Sequence, residues 1–231
     1  MEGALAKLLA AGSAALSSAV PRREELPLGA IWDELYAVLA ERNGFFAFEA
    51  ALLFRPLGRS GSDVLDIEEW NDPGLWKSSF AGVADDVTFF ADDIFGGQFG
   101  IRGSSIVQFN PETGEFQDFA QGFDEWSATL IADYNVLTGY PIAHNWQRIF
   151  GPLKPGTRLV PLIPFVVGGD FVIENLRVAP EVRAMRFYGG LASAVAQVPD
   201  GGELQIDIKN LGQVLDREEP SGSANGYSTG D

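Results

Sequence analysis

The chain has no cysteine and a single histidine, His144. The lack of cysteine excludes disulfide bridges, thiolate zinc sites and cysteine nucleophiles, and is typical of a protein that works in a reducing compartment such as the cytoplasm. One histidine excludes any site that requires two imidazoles. No run of about 18 apolar residues, the length that a membrane-spanning helix needs, occurs in the sequence. We therefore expect no transmembrane segment.

Positive charge is scarce, because 16 Lys and Arg residues face 32 Asp and Glu residues, for a net charge of -16. Such a field repels phosphate backbones and anionic lipids, so we predict that the protein binds neither nucleic acid nor membrane surfaces. Two interpretations of the acidity stay open: it attracts a basic protein partner, or it serves solubility. The content of 46% hydrophobic and 12% aromatic residues suffices for a sizeable core.

The first twenty residues have two interpretations. Their Ala/Leu run and small Ser-Ser-Ala ending resemble a secretory signal, but no basic segment precedes the run. Leu5, Leu9, Gly12 and Leu16 instead form a helical stripe. We predict an amphipathic N-terminal helix over residues 1–20.

Residues 83–134 are the most sheet-like part of the chain. Short apolar segments separated by turn-forming residues predict three or four antiparallel strands, at 87–90, 98–101, 105–109 and 115–119. The sequence Asn-Pro-Glu-Thr-Gly at 110–114 predicts the turn between the last two. The apolar residues that follow recur at the spacing of one helix face and are Phe123, Trp126, Leu130, Ile131 and Tyr134. A helix is thus expected to close the sheet.

Other segments are less clearly patterned. A helix is predicted over residues 31–39, residues 45–53 suit either strand or helix, and residues 65–77 start as a helix that Asn-Asp-Pro-Gly at 71–74 breaks. Beyond residue 156 we predict short strands at 159–160, 165–167, 171–173 and 176–178, a helix at 189–198 and a strand at 204–208. The polar residues 216–231 predict a flexible acidic tail.

Two pairs of carboxylates, Asp85-Asp86 and Asp92-Asp93, flank the apolar residues 87–91. A metal ion requires ligands that converge on one point. Five residues of extended strand separate the pairs by roughly 16 Å, so we predict no metal site. Two interpretations remain, namely a charged rim for a partner and solvated strand ends.

The five tryptophans are expected to anchor the core. The segment from Asn71 to Trp76 is less periodic, and these two residues are further candidates for a partner-binding surface.

Residues 96–100, Gly-Gly-Gln-Phe-Gly, lack the lysine and spacing of a phosphate loop and predict a hairpin or bulge, so no nucleotide cofactor is expected. His144 would need an orienting carboxylate and a nucleophile to act as a general base, and a loop or packing role is preferred.

Several of these motifs resemble the core of the SUKH superfamily, which includes bacterial immunity proteins and yeast cell-wall-assembly regulators. The resemblance spans residues 26–135. It rests on Ile-Phe-Gly-Gly-Gln-Phe-Gly at 94–100, Ile-Val-Gln-Phe-Asn at 106–110, Thr-Gly-Glu at 113–115 and the Phe-x-x-Trp helix after them. Upstream, residues 35–44, 54–57 and the Trp-Asn pair at 70–71 also match.

The resemblance implies an α+β fold with a central antiparallel β-sheet flanked by helices, here followed by a smaller β-rich C-terminal extension at residues 156–210. It implies a non-enzymatic bacterial immunity protein that binds and neutralises a cognate toxin domain. The lack of cysteine favours the cytoplasm, and the net charge of -16 favours a toxin with a basic surface. The alternative is a regulatory or scaffold module that binds an endogenous protein. A third hypothesis is an enzyme that uses His144 and nearby carboxylates. The family has no catalytic residues to transfer, and neither cofactor nor metal is expected.

Overall fold

The structure, a computed structural model, describes residues 3–198. Its helices are α1 (Ala4–Ala11), α2 (Ala30–Glu41), α3 (Ile67–Trp70), α4 (Phe123–Ala132), α5 (Tyr134–Leu137), α6 (Tyr140–Phe150) and α7 (Glu181–Val195). Its strands are β1 (Phe45–Ala47), β2 (Leu52–Phe54), β3 (Thr88–Asp93), β4 (Gln98–Arg102), β5 (Ser105–Asn110), β6 (Glu115–Ala120), β7 (Thr157–Pro161) and β8 (Leu176–Pro180). Short 3₁₀ turns lie at Arg23–Glu25, Lys77–Phe80, Phe165–Val167 and Ile173–Asn175. The strand predicted at 204–208 and the tail predicted at 216–231 lie outside the described residues.

The central sheet has six antiparallel strands in the order β1 to β6, so each strand pairs with its neighbours in sequence. Strands β7 and β8 form a separate antiparallel pair. With helices on both faces of the central sheet, the α+β fold expected from the sequence is confirmed. Within residues 3–198, no helix is long and apolar enough to cross a membrane.

The turns of the central sheet follow from local sequence. In the β5–β6 turn, the side chain of Asn110 accepts a hydrogen bond from the backbone N–H of Glu112 at 3.0 Å. Gly114 there has a φ of +73°, a conformation that favours glycine, and its N–H donates to the Asn110 carbonyl at 2.8 Å. Gly96 has a φ of +94° in the β3–β4 hairpin. The hairpin predicted at residues 96–100 is therefore confirmed.

One face of the central sheet packs against α1, α2 and α4. Aromatic rings dominate this contact: Phe54 lies 5.8 Å from Trp126, and Phe90 lies 4.9 Å from Phe123, between ring centroids. Each fully buried large apolar side chain contributes roughly 1.5–3 kcal/mol. The helix predicted to close the sheet is thus α4, and its apolar stripe faces the strands as expected.

The opposite face of the sheet packs against α3, the 3₁₀ turn Lys77–Phe80 and α7. Trp70, Trp76 and Phe109 belong to the same buried cluster as Met185 and Leu191 of α7. The segment beyond residue 156 therefore shares its core with the sheet. Its helix begins at Glu181 rather than near residue 189.

The N-terminal segment is helical only as far as Ala11, so the prediction of a helix to residue 20 is wrong. Gly12 forms a bridge with Ala47, and the N–H of Ser13 donates to the Phe46 carbonyl at 2.7 Å. Strand β1 would otherwise leave its outer backbone groups unpaired. The helix ends at Ala11 because the backbone after it forms hydrogen bonds with the free edge of β1.

One other prediction is confirmed and another is wrong. Of residues 65–77, only Ile67–Trp70 is α-helical, started by a capping box between Asp66 and Glu69, with the expected break after it. The strands predicted at 165–167 and 171–173 are wrong, since two 3₁₀ turns and irregular chain occupy this region. Both side-chain groups of Asn175 bond the backbone of Ile163 there, at 2.8 and 2.9 Å.

Candidate functional site

The structure places Asp92 inside the protein, which contradicts the prediction that it belongs to a charged rim. Its side chain is 1% exposed. One carboxylate oxygen lies 2.9 Å from Arg55 Nη2, and the other accepts a hydrogen bond from Arg158 Nε at 2.6 Å. Glu181 completes the group, with Oε2 3.0 Å from Arg55 Nη2. We call these two arginines and two carboxylates the buried quartet.

The buried quartet joins distant parts of the chain. Arg55 follows β2, Asp92 lies on β3, Arg158 on β7, and Glu181 begins α7. The Arg55 guanidinium also lies 3.6 Å from the centroid of the Trp70 ring. Opposite charges are balanced within the group, as burial of charge requires. The quartet therefore fixes the C-terminal elements on the sheet and is not an exposed binding site.

Trp76 is fully enclosed, so the prediction that it contributes to a partner surface is wrong. Its Nε1 donates to the Trp70 carbonyl at 2.8 Å, and the two indole rings lie 5.3 Å apart. Asn71 is half-buried and uses its amide to fasten α3 to β3. Its Nδ2 donates to the Phe89 carbonyl at 2.7 Å, and its Oδ1 accepts from the Phe89 N–H at 2.8 Å. These groups serve the fold.

Asp85 and Asp86 are exposed in the turn before β3. Asp86 pairs with Arg102 at 2.9 Å on the surface. These two carboxylates are accessible to a partner, but they do not form one rim with the second acidic pair. Their role in binding stays a prediction.

His144 lies on α6 rather than in a loop, and it faces Glu49. Its Nδ1 is 2.8 Å from Glu49 Oε2, and Gln147 Nε2 donates to the Glu49 carbonyl at 2.7 Å. Glu49 is the centre of a turn in which Phe48, Glu49 and Ala50 all have positive φ, at 52°, 53° and 66°. Such backbone is strained for residues other than glycine. His144 thus helps to hold this strained turn against α6.

A cavity of about 480 Å³ lies between the β3–β4 hairpin, the β5–β6 turn, the loop at residues 165–171 and α7. We call it the acidic cavity. Its polar floor is formed by Asp93, Glu112 and Tyr188. The other lining residues are Phe95, Gly97, Gln108, Phe109, Asn110, Pro111, Glu115, Gln117, Val136, Phe165, Val166 and Phe171. The sequence predicts either a charged rim or a solvated strand end for Asp93, whereas the structure places it here.

Asp93 both closes the β3–β4 hairpin and faces the acidic cavity. Its Oδ1 accepts hydrogen bonds from the N–H groups of Phe95 at 2.8 Å and Gly97 at 2.9 Å. A side chain at position 97 could not fit, because a Cβ there would lie 2.3 Å from Asp93 Oδ2. Burial raises the pKa of the Asp93 carboxyl to about 7, in spite of both backbone hydrogen bonds.

Glu112 is buried in the turn between β5 and β6 and caps the 3₁₀ turn Phe165–Val167. Its Oε1 accepts from the Phe165 N–H at 3.1 Å, and its Oε2 accepts from the Val166 N–H at 2.6 Å. Burial raises the pKa of its carboxyl, and these two hydrogen bonds oppose the shift. The sequence analysis treated Glu112 only as a turn residue.

Tyr188 is 1% exposed, and within residues 3–198 its hydroxyl has no hydrogen-bond partner. The ring packs on the hairpin, since a Cβ at Gly96 would lie 3.4 Å from Tyr188 Cε2. Burial first, and then the charges of Glu112 and Asp93, raise the pKa of the phenol well above 10. The hydroxyl therefore stays neutral, and it lines the cavity close to both carboxylates.

No sequence motif predicts this constellation. Tyr188 lies on the apolar stripe of α7 with Ala184, Met185 and Leu191, so its spacing indicates a core residue. Only its hydroxyl, a polar group that normally has a partner when buried, provides a weak signal.

No protein-family model matches this chain, and no curated protein matches it with significance. Among solved structures, the chain is similar to the crystal structure of Atu4351 from Agrobacterium tumefaciens. The two share 12% sequence identity with a TM-score of 0.49, over 79% of this chain and 86% of the other.

Proposed function

We propose that this chain is a cytoplasmic bacterial immunity protein that binds a cognate toxin domain and blocks it by covering its surface, without catalysing a reaction. The resemblance of residues 26–135 to the SUKH core suggests this function. The observation that carries it is the mouth of the acidic cavity, where exposed apolar and acidic side chains lie together.

Exposed apolar side chains at the cavity mouth form a surface that is typical of protein-binding sites. Phe171 is 60% exposed and Val136 is 75% exposed, and both line the cavity with Val166. Leu162 and Ile163, shortly before Phe165 in the chain, are exposed as well. Grouped exposed apolar residues bordered by polar ones are typical of protein-binding surfaces.

The charge of the protein favours a basic partner. Glu115 is exposed at the mouth, above the carboxylates of the cavity floor, and the whole chain carries a net charge of -16. Opposite charge accelerates encounter and selects against acidic partners. We expect the association rate with a basic toxin domain to fall several-fold from low to physiological ionic strength.

The test is coexpression with the toxin domain encoded beside this protein, with growth and copurification as readouts. Phe171→Glu places a charge in the apolar mouth, and we expect it to abolish protection and weaken binding at least about tenfold. Leu28→Glu is the matched control, since Leu28 is also apolar and exposed but lies before α2 and does not line the cavity.

Two outcomes would contradict the proposal. If the wild-type chain neither binds nor protects against the neighbouring toxin but copurifies with a host protein, it is a regulatory module. If Phe171→Glu binds and protects like the wild type, the mouth is not the binding surface.

A further inference from the structure

The floor of the acidic cavity holds hydrogen-bonding capacity that residues 3–198 do not use. The Tyr188 hydroxyl has no partner within residues 3–198, although a buried hydroxyl ordinarily has one. Glu112 and Asp93 face the same space, and both are held in place by backbone N–H groups. Their positions are therefore fixed before any ligand arrives.

Within the described part of the chain, no cation neutralises this floor from inside the cavity. Among the described residues that line it, none is Lys, Arg or His. The nearest buried guanidinium, that of Arg158, bonds Asp92 and the Thr157 carbonyl instead. A ligand that supplies positive charge and N–H donors would satisfy the two carboxylates and the hydroxyl together.

The cavity walls favour an organic cation over a metal ion. Phe165 and Phe171 stack with centroids 3.8 Å apart, and Phe95 meets them edge-on at 5.3 and 6.0 Å. Aromatic rings attract ammonium and guanidinium groups and pack against the alkyl stems that carry them. Calcium would require six to eight oxygen ligands. Within residues 3–198, no three acidic or histidine side chains are grouped to hold a metal ion.

We propose that the acidic cavity receives one basic side chain of the protein partner, with its cationic head against Asp93, Glu112 and Tyr188 and its alkyl stem along the phenylalanine walls. This inference deepens the proposed function and rests on it. The Tyr188 oxygen, unpartnered in the free protein, accepts an N–H of the head. Exposed apolar residues at the mouth contact the partner around the inserted side chain. They exclude water from it, as the residues around a central hot spot do in other protein interfaces.

A titration of the free protein tests the cavity without any toxin. The probes are N-acetyl-lysine methylamide and N-acetyl-arginine methylamide, with the norleucine and citrulline analogues as neutral matches. In ¹H–¹⁵N spectra of the full chain, we expect the lysine or arginine probe to shift the amide signals of Gly97, Phe165 and Val166 in a saturable way. The neutral analogues are expected to leave them unchanged.

Tyr188→Phe removes only the unpartnered hydroxyl. We expect it to weaken binding of the cationic probe about tenfold or more, the worth of one hydrogen bond to a charged group. Resistance to urea should not fall, because the hydroxyl bonds nothing within residues 3–198. Tyr36→Phe, on the other side of the sheet, is the control and should bind the probe like the wild type.

The pH dependence gives a second readout. The charged groups that act on the Asp93 carboxyl from inside the protein are Asp92 and Arg158. Glu112 and Tyr188 line the cavity together with Asp93. A cation selects the ionised form of Asp93, whose pKa is about 7 in the free protein. Affinity for the probe should therefore rise about tenfold between pH 6 and pH 8. Asp93→Asn should remove most of this rise.

The two proposals fail in different ways. If neither cationic probe shifts these signals and Tyr188→Phe binds the toxin as tightly as the wild type, the inference is overturned while the immunity function stands. If a cationic probe binds as described but the neighbouring toxin does not, the proposed function is overturned and the cavity remains a site for basic groups.

Discussion

Asp93 shows how one carboxylate can be needed for folding and yet be poorly accommodated as an ion. Two backbone N–H groups bond its Oδ1, while burial disfavours the charge strongly enough to place its pKa near 7. Below the ordinary pKa of about 3.8, the carboxyl is neutral in both folded and unfolded chains. Between that value and about 7, only the unfolded chain ionises, so the contribution of Asp93 to stability declines as pH rises.

Asp93→Asn should therefore flatten the pH dependence of stability. The amide oxygen can still accept the two backbone hydrogen bonds, but the side chain no longer ionises. We expect the free energy of unfolding of the variant, relative to the wild type, to increase from pH 4 to pH 8. Urea unfolding across this range measures it. Asp85→Asn, the same change at an exposed site, should run parallel to the wild type, and a parallel curve for Asp93→Asn would contradict the prediction.

The positions of the neighbouring residues Asp92 and Asp93 could not be predicted from the sequence. They look equivalent in the sequence, but Asp92 belongs to the buried quartet, whereas Asp93 bonds the hairpin backbone and lines the acidic cavity. Arg158, the partner of Asp92, is 66 positions away in the chain. Asp85 and Asp86 were predicted to be exposed, and they are, because a turn places them outside the sheet.

At the scale of single elements, α7 carries two adjacent glycines with opposite surroundings. A Cβ at Gly189 would lie 2.5 Å from Ser79 Cβ and 2.6 Å from the Ser79 carbonyl oxygen, whereas a Cβ at Gly190 would meet nothing within 4 Å. The helix thus approaches the 3₁₀ turn Lys77–Phe80 so closely that only glycine fits at the first position. The second position is an exposed helix interior.

The pair Gly189→Ala and Gly190→Ala should shift stability in opposite directions. Gly189→Ala pushes α7 away from rigid backbone, and we expect a loss of about 1–3 kcal/mol. Gly190→Ala should add about 0.5–1 kcal/mol, because alanine favours the helix at an open site. Urea or thermal unfolding of both variants measures the difference. Equal effects would mean that α7 does not pack against Ser79 as described.

Elements defined by local signals were the most predictable. The four strands expected between residues 87 and 119 correspond to β3–β6, and the helix after them to α4, because alternation, turn residues and helical spacing all lie within the segments themselves. The helix expected over residues 1–20 failed beyond Ala11 for a non-local reason: the edge of β1 binds that backbone.

At the scale of the whole molecule, the buried quartet and α7 make the C-terminal segment part of the same core as the sheet. Arg55 reaches Glu181 across 126 positions of sequence. Neither the pairing nor the packing of α7 on the second face of the sheet leaves a local signal, so the sequence alone does not decide whether the extension packs against the sheet. The acidic cavity was missed for the same reason, since its floor combines β3, the β5–β6 turn and α7.

Arg158→Met should destabilise the whole protein strongly. Of the residues in the range 3–198, it leaves Asp92 and Glu181 with only Arg55 as a buried counter-charge. Breaking a buried ion pair costs about 3–5 kcal/mol. The control is Arg59→Met, which removes an exposed pair with Glu69 and should change stability by less than about 1 kcal/mol. Guanidinium unfolding followed by tryptophan fluorescence compares them. A similar small loss in both variants would show that the quartet does not hold the C-terminal elements.

The order of strands in the central sheet bears on how copies of the protein behave toward one another. Residues 12–17 cover the β1 edge, while β6 forms the other edge, and within residues 3–198 it pairs only with β5. That edge exposes Glu115 and Asp118. Two molecules joining edge to edge would bring like charges together, which disfavours lateral fibril growth at neutral pH and leaves acidification as the condition that permits it.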